Sequence, residues 1–291
     1  MRRRLTRASQ AYGCAERWFP LLTLCLFALI LSGLTEAVSV VGQTTRMHVV
    51  AKGQVVEGVI RLQNLSPVEQ DVRVYLTDYI SDDRSGWQFP PAGSLPRSCA
   101  PWTRLLQEEI KLRPGEERGV FYRISVPDES DIRGTYWCSI MVQPQTASAV
   151  DVRAADDGEG RVLFTLNQAV RYQVAVIVNV GDSGERRLTF TDPQLLRTKE
   201  ERVVFRVFIE NQGERLLHPD IWLELYDDQG RKVGSFSAGK RRVLPGASRT
   251  AEFDLSDVPP GDYLALVLVD DGGDAVFGAR YSLRFIADNG T

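Results

Sequence analysis

The chain has 291 residues, of which 43% are hydrophobic and 25% are charged, and its formal net charge is −3. This composition is typical of a globular protein with enough apolar side chains for two ordinary domains or one large one. The sequence has no basic excess that would indicate nucleic-acid binding and no acidic run that would indicate a solvated tail.

The first 37 residues are typical of a secretory signal peptide. A basic start, MRRRLTR, precedes an uninterrupted apolar run over 21–34, and small residues stand at the minus-three and minus-one positions of a cleavage site after Ala37. The alternative is a retained membrane anchor, for which the run is short. We expect cleavage and a periplasmic or otherwise secreted mature chain without a membrane span, because no second apolar stretch follows.

The segment over 112–127, LRPGEERGVFYRISVP, predicts a tight turn followed by a half-buried strand. Pro114 and Gly115 are typical turn residues. Alternate positions from Val120 to Val126 are apolar, which is the period of an extended strand with one buried face, and Pro127 ends the pattern.

The same order of features occurs twice along the chain. A second Pro-Gly pair, 245–246, also precedes a strand, and Gly-x-Tyr follows in both copies, at 134–136 and 261–263. Helical periodicity is nearly absent, and short strands separated by Gly, Pro and Asp are typical of β-sandwiches. We therefore predict an all-β fold with two immunoglobulin-like β-sandwich domains in tandem, at 38–182 and 183–291.

The longest alternating pattern runs from 162 to 180 and exceeds an ordinary strand of about five or six residues. All of its even positions are apolar except Gln168, and a small, polar, acidic segment over 145–161, a predicted mobile loop, precedes it. Two interpretations stay open: strands that form part of an ordinary sandwich, or an edge strand on which another chain can add a strand. The second interpretation predicts these partner-binding residues: Val170, Arg171, Tyr172, Val174, Val176 and Val178.

Two of the four cysteines remain after removal of the signal peptide. Cys14 and Cys25 lie within it, whereas Cys99 and Cys138 form an even pair in an exported protein. A disulfide is the expected state of such a pair. The alternative is a reactive thiol, which would need a base beside it.

The sequence contains no recognisable catalytic or metal-binding motif. His48 and His218 are its two histidines, and neither stands in a hydrolase frame or a zinc-binding pattern. A pair of glycosidase carboxylates leaves no such signature, so that alternative stays open. We expect a protein that is not an enzyme and needs no cofactor, metal or small-molecule substrate.

A series of spaced features carries a resemblance to a known family. They are Thr45-Arg46, the strand over 60–64, Trp102 followed by the Arg-Pro-Gly turn at 113–115 and Val126-Pro127, Gly134 to Trp137, and the long strand from Leu166 to Tyr172. With these features the chain resembles the PapD-like superfamily of periplasmic pilus-assembly chaperones. It resembles more loosely the WxL-interacting surface proteins of Gram-positive bacteria, which generally carry a C-terminal membrane span that this sequence lacks.

The resemblance to pilus chaperones implies a mode of binding. In that superfamily two immunoglobulin-like domains form an L, and the long last strand of the first domain completes the fold of an immature subunit. Two basic residues anchor the C-terminal carboxylate of the subunit in the cleft. Arg46 matches the first of them, whereas Ala175 stands near the place of the second, a lysine, and Arg171 is displaced from it. The usual Arg-Pro at the domain junction is replaced by residues 179–181.

Together these features predict a chaperone-like protein that binds an extracytoplasmic, pilin-like subunit by β-strand addition. The alternative is a structural cell-envelope or adhesion scaffold that uses the faces or loops of its sandwiches.

Overall fold

The computed structural model of the protein describes residues 38–145, 149–150, 166–167, 170–273 and 276–286. The predicted signal peptide, 1–37, lies outside these residues, and so does nearly all of the loop predicted over 145–161.

The first part of the described chain, which we call domain 1, forms a β-sandwich. Its strands are β1 (Val38–Val41), β2 (Thr45–Val50), β3 (Val55–Asn64), β4 (Gln70–Thr77), β5 (Ile80–Asp82), β6 (Gly86–Gln88), β7 (Thr103–Leu105), β8 (Glu109–Leu112), β9 (Glu117–Ser125), β10 (Gly134–Pro144), β11 (Ala149–Val150), β12 (Leu166–Asn167) and β13 (Tyr172–Val180). A short 3-10 helix, Ala100–Trp102, precedes β7. Sheet I has the order β1-β3-β9-β7 and sheet II the order β2-β13-β10-β4-β8, while β5 pairs with β6 and β11 with β12.

The core of domain 1 forms where the alternating strands of the two sheets face each other. In β9 the side chains of Val120, Tyr122 and Ile124 are buried, whereas Phe121 between them is 52% exposed. This is the half-buried strand that the sequence predicts. The chain enters the sandwich in sheet I as β1, turns at Gly42 (φ 88°) and continues in sheet II as β2. That turn needs a left-handed backbone conformation, which glycine adopts without steric cost.

The second part, which we call domain 2, is a smaller sandwich. Its strands are β14 (Leu188–Arg197), β15 (Val203–Asn211), β16 (Asp220–Tyr226), β17 (Lys232–Lys240), β18 (Ser248–Asp254), β19 (Gly261–Asp270) and β20 (Val276–Phe285). They form a three-stranded sheet, β14-β15-β18, and a four-stranded sheet, β17-β16-β19-β20. The predicted all-β fold with two tandem β-sandwiches is therefore confirmed. The boundary between residues 182 and 183 stays our proposed limit.

The sequence repeat corresponds to a repeated turn. Asn64 at the end of β3 donates its amide to the Leu112 carbonyl at 2.9 Å, and Asn211 at the end of β15 donates to the Val243 carbonyl at 2.8 Å. Each asparagine also accepts, through its own backbone carbonyl, the N–H of the glycine in its Pro-Gly turn, at 3.0 and 2.7 Å. Both asparagines are buried, so these bonds satisfy polar groups that water does not reach.

The domains pack through a small apolar cluster and a charged contact. Tyr79, Trp137 and Ile177 of domain 1 are buried against Leu244 and Ala247 of domain 2. Beside this cluster Glu214 of domain 2 accepts a hydrogen bond from Arg133 at 2.8 Å and forms an ion pair with Arg97 at 3.4 Å. The face of sheet II that points away from its own core is therefore partly covered by domain 2.

Candidate functional site

The strand that the sequence singles out, β13, has one open and one covered stretch along the same edge. It pairs antiparallel with β10 from Tyr172 to Val180 and parallel with β2 from Ala175 to Val180. The first hydrogen bond to the β2 side runs from the Ala175 N–H to the Thr44 carbonyl. The interpretation of 170–178 as an edge strand is therefore wrong from Ala175 onward, because β2 returns from sheet I and covers the edge there.

The open stretch presents the backbone of Arg171 and Gln173. Successive residues in a strand direct their N–H and C=O groups to opposite sides, and Ala175 directs its N–H toward β2. The backbone groups of Gln173 therefore point to the same side as those of Ala175, where none of the described strands pairs with Gln173, and Arg171 directly precedes the strand. An N–H group and a carbonyl on an open strand edge can bond a strand from another chain.

Three of the predicted partner-binding residues belong to the core instead. Val174, Val176 and Val178 are each 0% exposed and pack in the core of domain 1. The expectation that their side chains offer an apolar row to a partner is corrected by this burial. Alternation in a sequence shows that one face of a strand is covered, but it does not show whether the cover comes from the same chain or from another one.

The other three predicted residues lie at the open stretch. Val170 and Arg171 are exposed, and Tyr172 is half-buried against the edge of the domain 1 core. These residues remain candidates for contact with a partner, with Gln173 added because its backbone faces the open side.

The outer face of β13, which points away from the domain 1 core, carries Gln173 beside a cavity. Its amide donates to Ser139 Oγ on β10 at 2.8 Å. The cavity next to it has a volume of about 580 Å³. It is lined by Tyr75, Thr77, Phe89, Met141, Arg171 and Gln173. The lining combines apolar side chains with one cation at the open end of the strand.

Arg46 lies on the core side of β2. It is in register with Val176, whose side chain points into the core, and residues in register across a sheet share a face. His48, two residues later, shares that face, and its Nε2 lies 2.9 Å from the Tyr122 hydroxyl. The Nε of Arg46 is buried and has no hydrogen-bond partner among the described residues. The resemblance implies a position for Arg46 in the interdomain cleft, whereas the structure places it on the opposite face of sheet II from the one that domain 2 covers.

Burial and the charge of Arg46 set the protonation of its neighbours. Burial, and then the nearby Arg46 guanidinium, lower the pKa of His48 below its usual value. Burial raises the pKa of Tyr122 to about 12, although Arg46 opposes this change. At neutral pH the group is therefore a neutral imidazole and a neutral phenol beside one cation.

Domain 2 contributes a cation near the start of β2. The guanidinium of Arg242 donates to Thr45 Oγ1 at 3.4 Å, and its side chain is exposed. A cavity of about 570 Å³ lies beside it, lined by Gly42, Gln43, Thr44, Thr45, Met47 and Arg242. Sequence reasoning missed Arg242, because its partner stands 197 residues earlier and no local motif links the two.

The hairpin of β5 and β6 links domain 1 to domain 2 beside this region. Asp82 accepts hydrogen bonds from the N–H and hydroxyl of Ser248, at 2.6 and 2.7 Å. Arg249, only 9% exposed, donates to the Ser81 carbonyl at 2.8 Å and pairs with Asp83 at 3.2 Å. Burial acts to raise the pKa of Asp82, but the hydrogen bonds from Ser248 and from the turn N–H groups outweigh it and hold that pKa well below its ordinary value. These contacts fix the orientation of the two sandwiches.

The part of the chain that the structure describes holds two histidines and two cysteines. Within it, no three His, Cys, Asp or Glu side chains meet in a way that could hold a metal ion. His48 contacts the phenol of Tyr122, and the backbone N–H of His218 donates to Asp271 at 2.6 Å.

Cys99 and Cys138, predicted as a disulfide, are two buried thiols whose Sγ atoms lie 2.8 Å apart. The described ranges also hold no helix with the length and apolar character that crossing a bilayer requires.

The fold is similar to those of solved fimbrial chaperone structures. A chain of the chaperone–tip adhesin complex of CFA/I fimbriae biogenesis has 10% identity and a TM-score of 0.45, over 85% of this chain and 98% of that one. The class 5 fimbriae chaperone CfaA has 9% identity and a TM-score of 0.42, over 86% and 100% of the two chains. A chain of the CsuC–CsuE pre-assembly complex of Acinetobacter baumannii has 8% identity and a TM-score of 0.41, over 85% and 98%.

In sequence, no protein-family model and no curated protein matches the chain. Pilus chaperones are the class that the sequence resembles, but at these identities the structural similarity concerns the fold alone.

Proposed function

We propose that the chain is an exported, periplasmic, non-catalytic chaperone that holds a pilin-like subunit of a secreted or surface structure by β-strand addition. The observation that supports this proposal most directly is the open stretch of β13 before Ala175. Backbone hydrogen bonds to such an edge give affinity for an extended segment of almost any sequence, and pockets beside the edge give selectivity.

The added strand would continue the line of β2. The open stretch over 170–174 is about 17 Å long at the rise of an extended chain. A partner strand in this place would bond the backbone of Arg171 and Gln173, and its alternate side chains would lie on the two faces of sheet II. One set would meet Tyr172 at the edge of the core, and the other would meet the cavity beside Gln173. Both surroundings favour an extended client segment with apolar side chains.

The cavity beside Gln173 would select the client side chain on the outer face. Phe89 and Met141 supply apolar walls, and Arg171 supplies a positive charge at the mouth. We expect a large apolar residue of the client here, and a nearby carboxylate on the client to add to binding through Arg171.

The test removes one backbone donor from the open edge. Gln173→Pro deletes an N–H that points to the open side and leaves the β10 ladder intact, because proline is tolerated where the N–H of an edge strand has no partner strand. Gln173→Ala is the matched control, since it removes the same side chain and its bond to Ser139 but keeps the N–H. Copurification of the client from the native host should fall at least about tenfold with proline, the loss expected for about 1.4 kcal/mol of backbone hydrogen bonding, and much less with alanine.

Equal loss with Gln173→Pro and Gln173→Ala would argue against strand addition and for recognition by the side chain. A folded Gln173→Pro variant that retains its client would exclude this edge. Arg171→Pro repeats the test two residues further from Ala175, where pairing with β2 begins, at a position that is more exposed.

A second candidate function, an envelope or adhesion scaffold, is favoured by one surface feature. Trp87 is 63% exposed and Phe89 is 45% exposed, and their rings stack with Tyr79 in a row, with centroids 6.1 and 6.4 Å apart. Exposed aromatic rows are common contact surfaces. If the chain is a scaffold, Trp87→Ala would abolish its attachment while Gln173→Pro would leave the attachment unchanged.

A further inference from the structure

Cys99 and Cys138 meet in the core of domain 1 at a distance that brings a bond within reach. Their Sγ atoms are 2.8 Å apart, and both residues are 0% exposed. A disulfide bond is about 2.05 Å long, so closing it requires a shift of less than about 1 Å.

The approach of the two residues is fixed by the backbone and does not depend on the sulfur atoms. Trp137 donates its N–H to the Arg97 carbonyl at 2.9 Å, and Cys99 donates its own to the Trp137 carbonyl at 3.2 Å. The hydroxyl of Thr103 then bonds the Cys99 carbonyl at 2.8 Å and fixes the turn that follows. Residues 97–99 thus lie beside β10 where β4 has already left the sheet, and Cys99 faces Cys138 across that pairing.

We propose that Cys99 and Cys138 are oxidised to a disulfide while domain 1 folds. The oxidant is a disulfide, either oxidised glutathione or the disulfide of a dithiol oxidoreductase. One cysteine thiolate attacks an oxidant sulfur and forms a mixed disulfide, and one oxidant thiolate leaves. The second cysteine, deprotonated, attacks the protein sulfur of that mixed disulfide and releases the other oxidant thiolate. The protein loses two protons and two electrons, and the oxidant gains them as it becomes a dithiol or two thiols.

The order of events follows from burial. Thiol–disulfide exchange needs a thiolate that is accessible to the oxidant. In the folded chain neither sulfur reaches solvent, and burial raises the pKa of the Cys99 thiol well above its usual value. The bond must therefore form before the core closes, and after folding the same burial protects it from reductants.

The bond would tie the insert between β4 and β7 to sheet II. It spans 39 residues of chain, and a crosslink of this kind stabilises mainly by restricting the unfolded chain. It would also hold the backbone of Arg97, whose guanidinium pairs with Glu214 of domain 2 at 3.4 Å. This inference is independent of strand addition at β13.

The test uses the full chain with Cys14→Ser and Cys25→Ser, so that the pair supplies the only thiols. The reduced, unfolded protein is refolded with oxidised and reduced glutathione. The expected product is monomeric, about 2 Da lighter than the dithiol, and carries Cys99 and Cys138 in one linked peptide pair. Oxidation during refolding should be at least about tenfold faster than oxidation of the folded dithiol under the same conditions.

Reduction supplies the second readout. The denaturant midpoint of the oxidised protein should fall when reductant is added, whereas Cys99→Ala/Cys138→Ala should show no dependence on reductant. Two alkylatable thiols after refolding, a glutathione adduct at either cysteine, or a midpoint insensitive to reductant would overturn the disulfide. Equal oxidation rates for the refolding and the folded protein would overturn the proposed order of events.

Discussion

The N–H of Ala175 donates to the carbonyl of Thr44 at 2.8 Å, and β13 changes at this bond from an open edge to an interior strand. Before it, Gln173 faces no described strand on that side, and after it β2 covers the edge as far as Val180. One alternating sequence therefore has two environments, because its second half completes the sandwich and its first half pairs with no described strand on that side.

A charge in the second half of β13 should unfold domain 1. We expect Val176→Asp to lower the free energy of unfolding by about 4 kcal/mol or more, because it places a carboxylate without a partner in a site that is 0% exposed. Arg171→Asp on the exposed start of the same stretch should change it by less than about 0.5 kcal/mol. Urea denaturation of both variants measures the difference. A Val176→Asp variant as stable as the wild type would show that this part of the strand is not core.

Gly134 should be required for the packing of the two domains. Its φ is 78°, and a Cβ built there would overlap the Glu214 carbonyl of domain 2. Gly86 is the matched control, since its φ is also 78° and a Cβ there meets no atom within 4 Å. Both alanine variants carry a left-handed residue at a cost of about 1 kcal/mol. We expect Gly134→Ala to lose about 2 kcal/mol more and to change the small-angle scattering profile. Equal losses of stability in the Gly134→Ala and Gly86→Ala variants would mean that a side chain at position 134 meets no steric conflict at the domain junction.

The hairpin contact should weaken in acid through Asp82. Its folded-state pKa is depressed below the ordinary value of 3.8, so its contribution to stability is complete above that pH and is lost as the pH falls toward the folded-state pKa. Asp82→Asn should therefore destabilise the protein at pH 7 and flatten the stability profile below about pH 4. Urea midpoints of both proteins between pH 7 and pH 3 test this. If the urea midpoints of the two proteins fall in parallel with pH, Asp82 does not cause the loss of stability in acid.

The two repeated asparagines should stabilise separate sandwiches. Asn64→Ala removes one donor from the carbonyls of Val68 and Leu112, and Asn211→Ala removes one from those of Arg215 and Val243. We expect each to cost about 2–4 kcal/mol, because each variant also takes the side-chain acceptor from a buried N–H, that of Ser66 or that of Gly213. Hydrogen exchange should quicken in domain 1 for the first variant and in domain 2 for the second. Loss of protection throughout the chain for both would mean that the domains unfold as one unit.

The sequence predicts the fold more fully than the site. Period-two patterns and the repeated Pro-Gly turns are local signals, and they predict half-buried strands such as β9 without knowledge of the partner strand. Which face of β13 is buried and which part of its edge is paired depend on strands that are distant in the sequence. The alternation at Val176 is the same whether the side chain meets its own core or another protein. Only the pairing of β13 with β2, which lies some 130 residues earlier in the chain, decides between them.

The interdomain contacts leave no sequence signal of their own. Arg249 is one of many arginines in a charged sequence, yet it is 9% exposed and holds the β5–β6 hairpin. Arg46 shows the opposite case, because the resemblance implies a cleft residue and the register with Val176 places it on the core side. Both outcomes come from the tertiary arrangement of β2 and β18, which spacing along the chain does not encode.

The measurement that tests strand addition most directly is photo-crosslinking in the native host from a photoreactive residue at Arg171, at the exposed start of the open stretch. The matched control carries the same residue at Phe121, which is 52% exposed on β9 in the opposite sheet. Strand addition predicts one specific adduct from position 171, with a secreted pilin-like subunit, that disappears when Gln173→Pro is added and is absent from position 121. The same adducts from both positions, or none from a folded and well-expressed protein at 171, would contradict it.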